Sequence, residues 1–288
     1  MYRFLLSRRW LGGFAFAVVV ALGCVLLGLW QWDRREQQVE RNALVTQNYD
    51  EAPVPLRSLL PDAGSALPPG SEWTPVALQG SYVPDGGLLL RNRPLDGRPG
   101  YHALVPFEVD DGTVVLVDRG WLPIGATGAG PDDVPSPPDG QVEAVVRLRP
   151  GEPPSTRDAP DGQLQSIDLA EARGQLPPAL ADELATGAYG VLDSEVPAPS
   201  SAPRALPRPV IDEGPHLSYS LQWFVFALGA LVGFVVLVRR TAVDTEERPV
   251  VRTRPKRTTA EDEEDALLDA AERAGRVEAQ PGVPPRAG

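Results

Sequence analysis

Residues 214–240 read GPHLSYSLQWFVFALGALVGFVVLVRR, and the fold turns on how this stretch is placed. Leu217 to Val238 gives 22 residues without a charge, enough to cross a hydrocarbon core of roughly 30 Å as a helix. Arg239 and Arg240 close it on one side. On the other side Pro215 can start a helix, because its missing N–H is one the first turn does not use. His216 follows at once, with Tyr219 and Trp223 at helical spacing on the same face. An imidazole at the mouth of a membrane helix is unusual, which puts His216 at the centre of the functional question.

Charge divides the chain of 288 residues into three parts. Residues 1–32 carry three arginines and no acid, residues 33–215 carry 14 arginines against 28 acids, and residues 239–288 are nearly balanced. An acidic middle without a basic stripe excludes nucleic acid as its partner. A second uncharged run, Trp10 to Trp32, spans 23 residues. SRRWLGG resembles a twin-arginine signal and ALGC at 21–24 a lipoprotein cleavage box. The apolar run nevertheless continues past Cys24 and the box has Ala where Leu is preferred, so the run reads as a retained anchor. The second span sets orientation: seven basic residues follow it by Arg257, while only Arg204 and Arg208 closely precede it. Both termini are therefore expected in the cytoplasm of a bacterium, with residues 33–215 outside its plasma membrane.

The pattern predicts a membrane protein of α+β class, two transmembrane helices flanking one mainly antiparallel β domain. Residues 1–9 form a cytoplasmic N-terminus, 10–32 the first span, and 33–72 a juxtamembrane segment, helical at first, then a Pro- and Ala-rich linker. Gly13, Ala17, Ala21, Cys24 and Gly28 share one face of the first helix, and Gly229 and Gly233 make a small-xxx-small pair on the second. Such residues let helices approach closely in lipid. Residues 73–195 are the β domain, built from short alternating runs. Asp110-Asp111-Gly112 gives a hairpin joining about His102–Val109 to Thr113–Trp121. Leu169–Arg173 reads as one helical turn and GAYGVLDSEV as a late strand. Residues 196–215 are a Pro-rich tether, 216–238 the second span, and 239–288 a charged tail of disordered composition. Its stretch 239–257 is expected to lie on anionic lipid, and 266–274 could form a short amphipathic helix.

Catalytic signals are nearly absent: two histidines, no phosphate loop, no G-x-S-x-G, no metal-ligand cluster and one cysteine, inside a span. No serine is flagged as the partner of a Ser–His–Asp site on His102, which reads as a surface or hairpin-edge imidazole. His216 has two readings. It can snorkel to water beside an interfacial belt of Tyr219 and Trp223. Alternatively, a helix N-terminus disfavours imidazolium, and the neutral ring binds metal. The same N–H groups, with Arg34 or Arg208, could meet the propionates of a haem lying on Tyr219 and Trp223. Arg119, ending an apolar strand, reads as an ion pair with one of the domain's acids or as a contact to a partner or propionate.

Three blocks carry a resemblance. LGLWQWDRR at 27–35 contributes Gly28, Trp30, Gln31 and Arg34. RNRPLDGRPGYHALVPF with VLVDRGWLP contributes Arg93, Gly97, Gly100, Arg119, Gly120, Trp121 and Pro123. HLSYSLQWFVFAL contributes His216, Tyr219, Gln222, Trp223 and Phe224. In their order, and with two spans around an outer domain, they resemble the surfeit-locus (Surf/Shy) family of cytochrome c oxidase assembly proteins. The resemblance implies a non-enzymatic factor that helps install haem a in oxidase subunit I. Subunit I is then a partner, haem a synthase a further one, and the histidine on the second helix a haem and metal ligand. A cofactor-free scaffold for subunit I and an outer-face hydrolase are the other readings. The tail, 241–288, inherits nothing from the resemblance. Reporter fusions at residues 150 and 260 should report opposite compartments; equal signals would sink the two-span topology.

Overall fold

The computed structural model describes residues 6–247, 264 and 267–270. It divides into two compact units, one of 6–22 with 227–247 and the other of 23–226. Helix α1 covers Arg8–Asn48 and α4 covers His216–Glu247, and both are long and apolar enough to cross a membrane. The segment after Trp32 stays helical to Asn48, as its scattered polar residues predict. In the first unit Phe234 of α4 packs on Trp10 and Phe14 of α1, ring centroids 6.0 and 5.5 Å apart. Ala17, Ala21 and Cys24 are buried, as expected of the small face of α1. Gly229 and Gly233, in contrast, have nothing within 4 Å of where a Cβ would stand, so among the described residues this pair does not seat α1 on α4.

The second unit holds a mixed sheet of eight strands: β1 (Val54–Pro55), β2 (Pro75–Tyr82), β3 (Leu88–Leu90), β4 (Gly100–Val109), β5 (Val114–Pro123), β6 (Val142–Arg149), β7 (Gln163–Leu164) and β8 (Tyr189–Val196). Their order is β1-β2-β6-β8-β5-β4-β3-β7, with β2 also pairing β4. That extra ladder closes β2, β6, β8, β5 and β4 into a five-stranded barrel, which removes the exposed edges an open sheet would leave. The β4–β5 hairpin forms as the Asp-Asp-Gly turn predicts, with His102 opposite Trp121 and Phe107 opposite Val115. Most ladders are antiparallel; β5–β8, β1–β2 and β3–β7 are parallel.

Two cores result. Val76, Leu78, Phe107, Val115, Val117, Val146 and Leu148 fill the barrel. Outside it, Leu104, Val114 and Leu116 pack under helices α2 (Leu169–Gln175) and α3 (Pro178–Glu183). Strand β5 is thus buried on both faces, the physical reason Val114–Val117 is an unbroken apolar run rather than an alternating one. Helix α2 is longer than one turn and is capped by Asp168, whose carboxylate accepts from the N–H groups of Ala170 and Glu171.

The segment read as a linker is packed. Val54–Pro55 adds a parallel strand to β2, and Leu56 and Leu60 enter the barrel core at 4% and 1% exposure. The β domain therefore reaches back to about residue 54. The tether is pinned as well: Arg204 and Trp121 exchange backbone hydrogen bonds at 2.8 and 2.9 Å. In the tail only 267–270 of the short helix read at 266–274 are described, and they are helical; 248–257 lie outside the described residues. Leu60→Ala should lower stability by about 2–5 kcal/mol, as large-to-small changes in cores do. Urea unfolding of the purified chain, followed by far-UV circular dichroism, measures it.

Candidate functional site

The site begins on one face of α1. Gly28, Gln31, Arg35, Gln38 and Asn42 recur at steps of three and four, so they lie one above another along the helix. Each meets α4 or the segment entering it. Gly28 has no side chain because the Phe224 ring lies where one would be: a Cβ would stand 2.9 Å from that ring. Ser220, fully buried, donates its hydroxyl to the Gly28 carbonyl at 2.9 Å. Gln31 Oε1 lies 2.9 Å from His216 Nδ1. Arg35 pairs with Glu213 at 2.8 Å, and the Gln38 and Asn42 amides donate to the Asp212 carbonyl at 3.0 and 3.1 Å.

This arrangement fixes the imidazole. With Gln31 Oε1 as acceptor, Nδ1 carries the proton and Nε2 keeps the lone pair, the division of roles an imidazole ligand needs. Gly214, at φ 64°, turns the chain into the helix after the Asp212 carboxylate accepts its N–H at 2.8 Å. A Cβ at Gly214 would stand 3.5 Å from His216 Nε2, so glycine also keeps the approach to that atom open. Tyr219 is 48% exposed and Trp223, edge-on to Phe226 at 5.9 Å, is half-buried. Arg34 is exposed and, among the described residues, its hydrogen-bond partner is Gln37, at 3.2 Å, which leaves most of its donors free there. Arg208 is engaged elsewhere, 2.9 Å from Asp50. Trp30 and Gln222 are exposed. One imidazole with a free Nε2, an open approach, aromatic area and a guanidinium with spare donors fit a haem; no cluster of three metal-ligating side chains exists among the described residues.

The Asp118-Arg119-Gly120-Trp121 block sits in the second unit but does another job. Strand alternation sends Asp118 out of the barrel and Arg119 into it. Arg119 is fully buried, ion-paired to Glu195 at 2.8 Å, 5.1 Å from the Tyr82 ring centre, and donates to the Pro135 carbonyl at 3.1 Å. Burial, then Glu195, pushes the Tyr82 phenol well above its usual range, so it stays neutral. Trp121 donates its indole N–H to the Arg93 carbonyl at 2.7 Å. His102 is not the surface imidazole its turn-like context suggests. Its side chain is 16% exposed and Nδ1 lies 2.7 Å from Asp118 Oδ2, whose residue is 2% exposed. No serine, threonine or cysteine lines the cavity beside this pair, so the triad reading lacks its nucleophile there.

Two membrane-length helices in a chain with a β-barrel, and a polar seam gathering a histidine at the start of the second helix, define a membrane-anchored protein with one folded barrel domain. The chain belongs to the SURF1 family, whose model matches residues 18–228. That is a family of cytochrome c oxidase assembly factors, not of enzymes. Uncharacterized SURF1-like proteins of Mycobacterium bovis and Mycobacterium tuberculosis are each 34% identical over 239 residues, covering 80% of this chain and 83% of theirs. A SURF1-like protein of Dictyostelium discoideum is 31% identical over 110 residues, 36% of this chain and 38% of its own. All three blocks of the resemblance fall within the matched residues, and the tail after 228 does not.

Sequence reading found His216, Gln31 and Gly28, and missed Arg35, Gln38 and Asn42, whose only signal is their shared spacing. It also missed Asp118 as the partner of His102. Arg119→Ala should cost about 3–5 kcal/mol, because it leaves the Glu195 carboxylate buried without its cation. The pair change Arg119→Ala with Glu195→Ala should recover part of that loss in thermal melting. Unchanged melting in the single variant would move Arg119 from structure to partner contact.

Proposed function

We propose that this protein is a membrane-anchored assembly factor for haem-copper cytochrome c oxidase that holds haem a at the outer membrane interface and assists its insertion into subunit I. The termini face the bacterial cytoplasm, the barrel stands outside, and the basic stretch 239–257 lies on anionic lipid. Haem a synthase is a partner upstream of subunit I. The observation that carries the reading is the 2.9 Å contact between Gln31 Oε1 and His216 Nδ1. With Gln31 accepting from Nδ1, Nε2 is left as the ligand nitrogen, and it lies beside Gly214.

Haem a would supply an iron that accepts an axial imidazole. The chain's own part is to orient and desolvate. Gln31 holds the ring, His216 Nε2 is the ligand atom, and Tyr219 and Trp223 offer apolar faces of the kind that dominate ligand pockets. Arg34 has donors for a propionate. Seating the ligand on a helix start braced by Arg35, Gln38 and Asn42 keeps it within the narrow geometry a metal site needs.

Co-expression with the haem a pathway tests this. His216→Ala should insert normally, because alanine is cheaper in lipid than histidine, and should lose the Soret band of the purified protein. His102→Ala should keep it. Gln31→Leu should weaken haem retention by about 10–100-fold, the usual cost of removing a group that orients a metal-bound histidine. An unchanged low-spin spectrum in His216→Ala overturns the ligand assignment. If no variant and no native protein binds haem while oxidase assembly still needs the chain, it acts as a scaffold for subunit I.

A further inference from the structure

The barrel domain holds a second polar site that the haem reading does not use. A partly enclosed cavity of about 180 Å³ lies against the outer face of β4 and β5. His102 reaches it from β4 and Asp118 from β5, their juxtaposition set by the hairpin register: Leu104 pairs with Asp118, and His102 lies two residues along β4 on the same face, with Arg119 the extra residue of a bulge beside them. Asp118 is fully committed. One oxygen takes His102 Nδ1 and the other accepts the Gly120 N–H at 3.1 Å. Among the described residues His102 Nε2 has no hydrogen-bond partner, and the ring lines the cavity.

The remaining walls are cationic donors on aromatic supports. Arg149 of β6 lies 4.5 Å from the Trp73 ring centre and 6.0 Å from that of Tyr189 on β8. It pairs with Glu72 through Nε alone, at 3.2 Å, which leaves both terminal amino groups unspent. Arg93, beyond β3, pairs with Glu152 through one terminal nitrogen. Arg147, also on β6, is held by Asp193 of β8 and the Tyr49 carbonyl. Trp73 itself is at φ 71°, a region that a bulky side chain enters only when its surroundings impose it, as at ligand clamps.

Three guanidiniums pair with three carboxylates, Arg149 with Glu72, Arg93 with Glu152 and Arg147 with Asp193, while the fourth carboxylate, Asp118, faces His102. A proton on His102 balances Asp118 and adds an N–H donor to a wall already rich in N–H groups. A ligand with clustered lone pairs complements that wall. We propose that this cavity binds a small oxyanion, a carboxylate or a phosphate group, between His102 Nε2 and the free amino groups of Arg149, with a proton taken up on His102.

The chain has only two histidines, so full-length protein in detergent with ¹³C-labelled imidazoles gives two resolvable rings. Sodium propionate and inorganic phosphate are the probes. One or both should move the His102 signal saturably and leave His216 in place, and which one does so names the oxyanion. Affinity should fall as pH rises, by up to about tenfold per pH unit, the mass-action limit for one proton taken up with the ligand. Arg149→Gln should weaken binding about tenfold, the loss of one charge-assisted hydrogen bond. No saturable movement of His102 with either probe, equal movement of both histidines, or pH-independent binding overturns the proposal.

Discussion

The hydrogen bond between Gln31 and His216 is where two constraints meet. Within lipid, helices are held by close packing of small groups, here Gly28 under Phe224. Above it, water competes for every polar group, and only specific pairing fixes a register. The seam on α1 changes from the first regime to the second within one turn, from Gly28 to Gln31, and goes on through Arg35, Gln38 and Asn42. The entry of α4 is therefore set by five successive contacts on a single helix face, and the histidine cannot turn without breaking its neighbours' bonds.

The barrel shows the same economy in strand β5. Because both of its faces are buried, alternate residues serve two interiors. Arg119 goes inward to Glu195 and Tyr82, while Asp118 goes outward to His102. Adjacent residues of one short block thus tie the barrel interior and organise an external cavity. A buried ion pair is weak grounds for net stability, since desolvating both charges offsets much of their attraction. What Arg119 gives is specificity: as the cation paired with the buried Glu195 carboxylate on β8, it leaves β5 and β8 one register in which neither charge is alone.

Much of this was legible in the sequence where the signal is local. Two uncharged runs gave the spans, Asp110-Asp111-Gly112 gave the hairpin, and His216 stood out by position alone. The linker reading of 52–70 went astray because proline and alanine dominate the composition while two leucines, 56 and 60, do the packing. The β5–β8 pairing joins residues about seventy apart in sequence and has no turn to announce it. His102 and Asp118 are 16 residues apart, and the hairpin register that pairs Leu104 with Asp118 brings them to one face. The seam escaped notice for another reason. Glutamine, arginine and asparagine at helical spacing look like any solvated helix surface until the segment they bind is known.

Because α1 runs unbroken from Arg8 to Asn48, its polar half is a ruler rather than a spacer. Asn48 ends it by donating to the carbonyls of Gly70 and Glu72, so both ends of the polar half are clamped. Each residue added between Arg35 and Asn48 would advance one clamp by about 1.5 Å and rotate it by about 100° against the other. An insertion of seven residues nearly restores the rotation but still moves the clamp by about 10 Å, so the length of this half is fixed by the two contacts it joins.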